Sequence, residues 1–292
     1  MSLLDVMTNG KNAMRAYDYA LRVSSANMGQ VETPGYKGLE YSFETVFNQV
    51  LSQGSSGDSL RNTGGSNPNQ AGSSVAISGV KVNFEQGDIK EGGPLSAAVL
   101  GSGLFITEGD DGGYLYTRAG DFEINDSGFL VDPKGRKVFG YKIGGDGNPI
   151  TSELVPIKSE GYTDLGFQYQ SKSGVLINNY SSYKTAKDAG TVLPQVTQTY
   201  QLALTTFSNR SGLLQHDGTT FKETLSSGKP LPYKLANEGY GEIYANSQEK
   251  SNVFYIGETL DALGVQRAMS ASLTAIKMAS QQIEAITKQL GS

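Results

Sequence analysis

The chain has 292 residues, 37% hydrophobic and 18% charged, a composition that supports a folded core rather than a disordered polypeptide. Its 24 Lys and Arg against 29 Asp and Glu leave a formal charge of -5, so no overall basic field exists to hold nucleic acid or an anionic membrane. The lack of Cys closes disulfide, thiolate-metal and cysteine-nucleophile chemistry, while 37 Gly and no Trp point to a turn-rich β protein.

The first ten residues have neither a basic region nor an unbroken apolar stretch, so no cleavable secretory signal is expected. No run elsewhere predicts a membrane span. These features suit the cytoplasm, or export by a route that reads an uncleaved N-terminus. From Leu3 the apolar or small residues fall at Leu3, Met7, Gly10, Met14, Tyr17, Leu21, Ser24 and Met28, in alternating steps of four and three. This spacing predicts a helix with a coiled-coil seam, weakened at Gly10 and Ser24 and too short to be secure in isolation. Thr33-Pro34-Gly35 ends it, because proline disfavours helical geometry in the residue before it and glycine permits a sharp change of direction.

Residues 53–74 are mostly Gly, Ser, Asn and Gln and read as a flexible connector. The period then changes to two. Val80, Val82 and Phe84 alternate with polar residues, Leu104-Phe105-Ile106 precedes the turn Gly109 to Gly113, and Tyr114 to Thr117 follows. Phe122 and Ile124, Phe129 to Val131, and Val138 to Tyr141 continue between the turns Asn125 to Gly128 and Asp132 to Gly135. Such spacing means antiparallel β structure. Residues 147–199 carry no sustained period and are either an insertion or further strands. Tyr200 to Phe207 resumes alternation and returns the chain to the same sheet system.

At the far end Met269, Leu273, Ile276, Ala279, Ile283, Ile286 and Leu290 repeat the threes and fours, with neither Pro nor Gly from Val265 to Leu290. The predicted helix runs to roughly 40 Å at about 1.5 Å per residue, long for one compact domain. Either the two stripes pair with matching stripes outside the domain, or both helices cover the domain's own core as ordinary amphipathic elements.

Candidate chemistry is sparse. Gly57-Asp58-Ser59-Leu60 spells a serine-esterase signature, yet a nucleophilic serine needs a base, and the only histidine is His216, with Leu213 where those esterases place the partnering aspartate. Ser181-Ser182-Tyr183-Lys184 matches a loose penicillin-recognising pattern without its later Lys-Thr-Gly strand. Gly101-Ser102-Gly103 has no helix after it to meet a phosphate, and Asp110, Asp111 and Asp146 lack EF-hand spacing. His216 reads as a turn residue. No catalytic residue, metal ligand or cofactor is therefore expected.

Thr33-Pro34-Gly35-Tyr36-Lys37 after an N-terminal helix resembles the bacterial flagellar rod and hook proteins. In family order follow Phe84-Glu85-Gln86-Gly87-Asp88-Ile89, Leu100-Gly101-Ser102-Gly103-Leu104-Phe105, and Tyr116-Thr117-Arg118-Ala119-Gly120-Asp121-Phe122. Phe207-Ser208-Asn209-Arg210-Ser211-Gly212-Leu213, Ser251-Asn252-Val253, Glu258 and Gln266-Arg267-Ala268 resemble the C-terminal module. Ser24-Ser25-Ala26-Asn27 and Ser272 depart from the family's usual asparagines.

The resemblance implies a non-enzymatic subunit exported unfolded by the flagellar type III apparatus and stacked helically into a hollow axial tube with copies of itself and neighbouring axial proteins. It implies a rod member of the basal body, or else a short, extracellular hook protein. The expected fold is an antiparallel β domain (74–146 and 200–254) flanked by terminal helices (1–32 and 255–292) that form a coiled-coil-like layer on assembly, with a connector over 33–73. The expected assembly interface is Leu3, Met7, Met14, Tyr17, Leu21, Met28, Met269, Leu273, Ile276, Ile283, Ile286 and Leu290. A secreted serine hydrolase using Ser59 and a carbohydrate-binding β module are the alternatives from other classes; the second leaves both stripes unexplained.

Overall fold

Helix-forming residues without Pro run from Leu3 to Gly29 and from Tyr255 to Leu290, and both stretches are helices, of 27 and 36 residues. The second starts ten residues before Val265 and tolerates Gly257 and Gly264, which brings it to about 54 Å. The computed structural model describes residues 3–45, 48–52, 54, 64–65, 67, 69–72, 74–144, 148–159, 167–169, 174–178, 185–186, 188–191, 198–235 and 239–290. The chain divides into two compact units: Met1–Gly29 with Leu39–Lys81 and Phe254–Ser292, and Gln30–Gly38 with Val82–Val253.

In the first unit two pairs of strands accompany the two helices. Leu39–Thr45 pairs with Val75–Val82, and Asn48–Ser52 pairs with Asn69–Gly72, Asn48 standing opposite Gly72. Part of the expected connector is thus paired strand. The cause is a period of two in Leu39, Tyr41 and Phe43, alternating with Glu40, Ser42 and Glu44, which the glycine and serine content of the following residues obscures. Phe43 meets Tyr17 of the N-terminal helix and Tyr41 of its own strand edge to face, at centroid distances of 5.6 and 5.5 Å. Each such pair contributes about 0.5–1.5 kcal/mol beyond burial.

The second unit is built on a 10-stranded antiparallel sheet. Gln198–Thr205 is its organising strand: Phe139–Lys142 and Val175–Ile177 flank its first half, and Leu104–Glu108 and Lys234–Leu235 flank its second. Leu104–Glu108 turns back as Tyr114–Thr117, with Phe105 opposite Thr117. The described strands among residues 147–199 (Val155–Pro156, Gln168–Tyr169 and Val175–Ile177) belong to this sheet. At two or three residues each, they are too short to set up a readable period.

Turn chemistry fixes the hairpins. Asn125 accepts the Ser127 and Phe129 amides on its side-chain oxygen at 3.0 and 2.9 Å, and Asp132 accepts those of Lys134 and Arg136 at 3.0 and 2.9 Å. Beneath the sheet Phe105, Phe122, Leu130, Ile157, Phe167, Leu176, Leu202, Leu204 and Ile243 form one core, nearly all fully excluded from water.

Burial raises the phenols of Tyr116, Tyr169, Tyr233 and Tyr240 above the ordinary tyrosine range. A raised folded-state pKa contributes stability that is complete below about pH 10, where the unfolded phenol titrates, and is lost as pH rises beyond it. Tyrosinate absorbance and loss of circular dichroism are expected to rise together above that pH. Ionisation of these phenols in a still-folded protein would contradict the assignment.

Candidate functional site

Within the first unit the terminal helices lie antiparallel: Gly10 sits against Ile276, and Asn27 against Glu258. The N-terminal helix buries Ala13, Ala16, Ala20, Val23, Ser24 and Asn27, a stripe of small residues beside the predicted one. The covered positions of the C-terminal helix include Glu258, Ala262, Val265, Met269, Ser272, Ile276, Ala279 and Ile283, in unbroken steps of four and three. Small residues let the backbones approach. A Cβ on Gly10 would stand 2.6 Å from Ile276 Cγ1, so a larger residue there must displace the Ile276 side chain.

Asn27, 1% exposed, stitches three elements. Its amide nitrogen donates to Glu258 Oε1 at 2.7 Å and to the Leu39 carbonyl at 2.8 Å, and its oxygen accepts the Leu39 amide at 2.9 Å. The helix end, the opposing helix and the first ribbon strand are thereby fixed together. The only sequence signal for this role was a polar amide inside an otherwise apolar helical stripe. Asn27→Ala strands these groups at about 1–3 kcal/mol. Faster amide hydrogen exchange is expected in the helices, with the β unit unchanged; unchanged exchange in the helices would exclude the role.

Among the predicted seam residues, Met269, Ile276 and Ile283 lie on that covered face of the C-terminal helix. Leu3, Met7, Met14, Tyr17, Leu21, Met28, Met269, Ile276 and Ile283 are half-buried, whereas Leu273, Ile286 and Leu290 are 40%, 47% and 83% exposed. Burying an alanine-sized methyl contributes about 0.8 kcal/mol, against about 1.5–3 for a whole Leu or Met side chain. Most apolar area able to stabilise these helices therefore remains partly in water. Leu4, Met7, Met14, Met269 and Ile276 line an open groove of about 670 Å³ along the pair, with Lys11 and Arg15 at its rim.

In the second unit the motifs that carry the family resemblance converge on a buried charge cluster. Gly35, at φ 68 and placed so that a Cβ would stand 2.2 Å from the Ala119 backbone nitrogen, turns the chain so that Lys37 enters the interior. Lys37 Nζ donates at 2.6 Å both to Glu249 Oε1 and to the Glu85 carbonyl, and the Gly87 amide donates to the same carboxylate oxygen at 2.8 Å. Arg118 Nη1 reaches Glu249 Oε2 at 3.2 Å and the Val99 carbonyl at 2.9 Å, while Nη2 bonds the Gly101 carbonyl. Asn252 closes the knot, accepting the Gly38 amide at 2.8 Å and donating to the Asn83 carbonyl at 2.8 Å. Burial pulls the Lys37 ammonium below the usual lysine range, opposed by Glu249.

Glu249, which no motif marked, is the one carboxylate bonded to both cations. Glu249→Gln leaves two buried charges uncompensated and is expected to cost on the order of 3–5 kcal/mol, whereas Lys37→Met leaves the neutral Arg118–Glu249 pair and costs less. Urea unfolding of both variants checks the ranking. Equal losses would mean that the charge balance is not what matters.

The residues singled out for chemistry do not form a catalytic array among the described residues. His216 Nε2 lies 3.6 Å from Asp110 and its Nδ1 4.0 Å from Asp217, and Asp111 pairs with Lys222 at 2.8 Å. Ser59, Asp146 and Ser181 to Lys184 lie outside the described residues.

Comparison with known proteins gives a consistent result. The family described as flagellar hook protein FlgE/F/G D1 domain matches residues 98–181. The flagellar basal-body rod protein FlgG of Buchnera aphidicola subsp. Acyrthosiphon pisum is 26% identical over 95% of this chain and 96% of its own length. That of Agrobacterium fabrum is 27% identical over 99% of this chain and 100% of its own. The flagellar hook protein FlgE of Treponema pallidum is 28% identical, but over only 46% of this chain and 28% of its own length. The chain is similar to the bacterial flagellar rod and hook proteins, over part of its length to the hook protein and over nearly all of it to the rod members.

Proposed function

We propose that this chain is a structural subunit of the flagellar rod in the basal body, which polymerises helically with copies of itself and adjoining axial proteins, transmits torque and encloses the export channel. The observation that carries the reading is the pair of terminal helices held together by small residues, with their larger apolar residues half in water. Neighbouring subunits complete that burial, so ordering of the ends is coupled to assembly. Full-length similarity to rod proteins supports the same conclusion, and the hook protein's similarity, confined to part of each chain, favours rod over hook. Delivery as an extended chain through the flagellar type III apparatus fits helices that need partners to persist. No catalytic role is assigned to any residue.

Leu273 is 40% exposed, so Leu273→Asp places a charge on the apolar stripe without emptying the core. The variant is expected to fold with unchanged circular dichroism and to form no filaments in negative-stain microscopy. Filaments indistinguishable from those of the parent chain would refute the role of the stripe.

A further inference from the structure

Because the chain has neither Cys nor Trp, the thioethers of methionine are the side chains that a peroxide oxidises first. The six methionines are Met1, Met7, Met14, Met28, Met269 and Met278, so all stand in the terminal stretches and residues 30–253 hold none. Met7, Met14 and Met269 line the same groove of about 670 Å³. The groove is open and each of the three is half-buried, so a molecule as small as hydrogen peroxide enters beside side chains that still pack on their neighbours. Met269 also belongs to the covered face of the C-terminal helix. Met278, by contrast, is 54% exposed and does not line the groove, and Met28 Sδ accepts the Thr259 hydroxyl at 3.8 Å.

Resting on the assembly reading above, we infer that Met7, Met14 and Met269 form an oxidation-sensitive site through which peroxides disable the helical unit of the free subunit. The step is oxygen transfer. A sulfur lone pair attacks one peroxide oxygen, and the O–O bond breaks as the S–O bond forms; the departing hydroxide takes the proton of the transferred oxygen and leaves as water. Sulfur loses two electrons and the peroxide gains them. The product is a polar, chiral sulfoxide where a flexible apolar thioether stood. In the groove that dipole has to stay hydrated, so it opposes both the packing of the two helices and any apolar cover over them. At Met278 the same change falls on a side chain already mostly in water. The β unit, without methionine, keeps its core. A pair of sulfoxide reductases, one for each sulfoxide epimer, returns the thioethers. Once neighbours cover the groove its sulfurs are shielded, which confines the sensitivity to the free chain.

Hydrogen peroxide added to the purified full chain tests the site, with peptide mass spectrometry locating the added oxygens. Oxidation of Met7, Met14 and Met269 is expected to speed amide exchange roughly tenfold or more in both terminal helices, with the β unit unchanged, and to lower polymer yield to a similar degree. The combined variant Met7→Leu, Met14→Leu and Met269→Leu, compared with its own untreated sample, should change less than about twofold at the same dose, whereas Met278→Leu should be as sensitive as the parent. Polymers formed beforehand should take up oxygen at the three positions roughly tenfold more slowly than the free chain; equal uptake would overturn the confinement to free subunits. A parent chain that carries the three sulfoxides yet exchanges like the untreated protein overturns the site. So does an equal response of the combined variant, which places the damage elsewhere. Should that variant fail to fold, the two reductases applied to the oxidised parent take its place: recovery of slow exchange supports the site and persistent loss overturns it. Failure of the untreated parent to polymerise sinks the assembly reading alone, because exchange in the free chain still decides the site.

Discussion

The terminal helices depend on one constraint: the N-terminal helix meets its partner through Gly10, Ala13, Ala16, Ala20, Val23, Ser24 and Asn27 rather than through its leucines and methionines. Close approach at Gly10, where Ile276 occupies the space a side chain would need, fixes the pair at short range. Asn27 then locks its far end to Glu258 and Leu39. A tight but thinly apolar contact of this kind holds its geometry without using up the chain's capacity for burial. The remaining apolar area is left at the surface of the helix pair rather than in a core.

The β unit follows the opposite rule. It has a core of large apolar residues excluded from water, and its least ordinary feature is ionic: one carboxylate serves two interior cations brought from positions far apart in sequence. Such a cluster contributes little net stability compared with well-packed hydrocarbon, but it fits only one arrangement of Lys37, Arg118 and Glu249, and so specifies how the segments meet. The Pro34-Gly35 corner and the Asn252 side chain supply the backbone geometry that lets the cations enter.

Much of this was legible in the sequence because it is written in period. The threes and fours gave both helices, and the alternation around Leu104 to Phe122 gave the central hairpin. What could not be read follows from physics that leaves no local trace. The helical stripe was displaced onto Ala13, Ala16, Ala20 and Val23 because helix pairs that approach closely select small residues, and hydrophobicity alone favours the bulkier neighbours. The ribbon strand Leu39–Thr45 was hidden by the composition of the residues after it, and the short strands near Gln168 and Val175 by their length. Glu249 looks like any surface glutamate until the fold delivers Lys37 and Arg118 to it.

The late position of Glu249 also bears on timing. A chain synthesised from its N-terminus presents Lys37 and Arg118 well before their shared counterion arrives. Until then, sequestering either ammonium or guanidinium is penalised, and the organising strand Gln198–Thr205 still lacks its neighbour Lys234–Leu235. Early closure of the β unit is thus disfavoured by electrostatics until nearly all of the chain has been made.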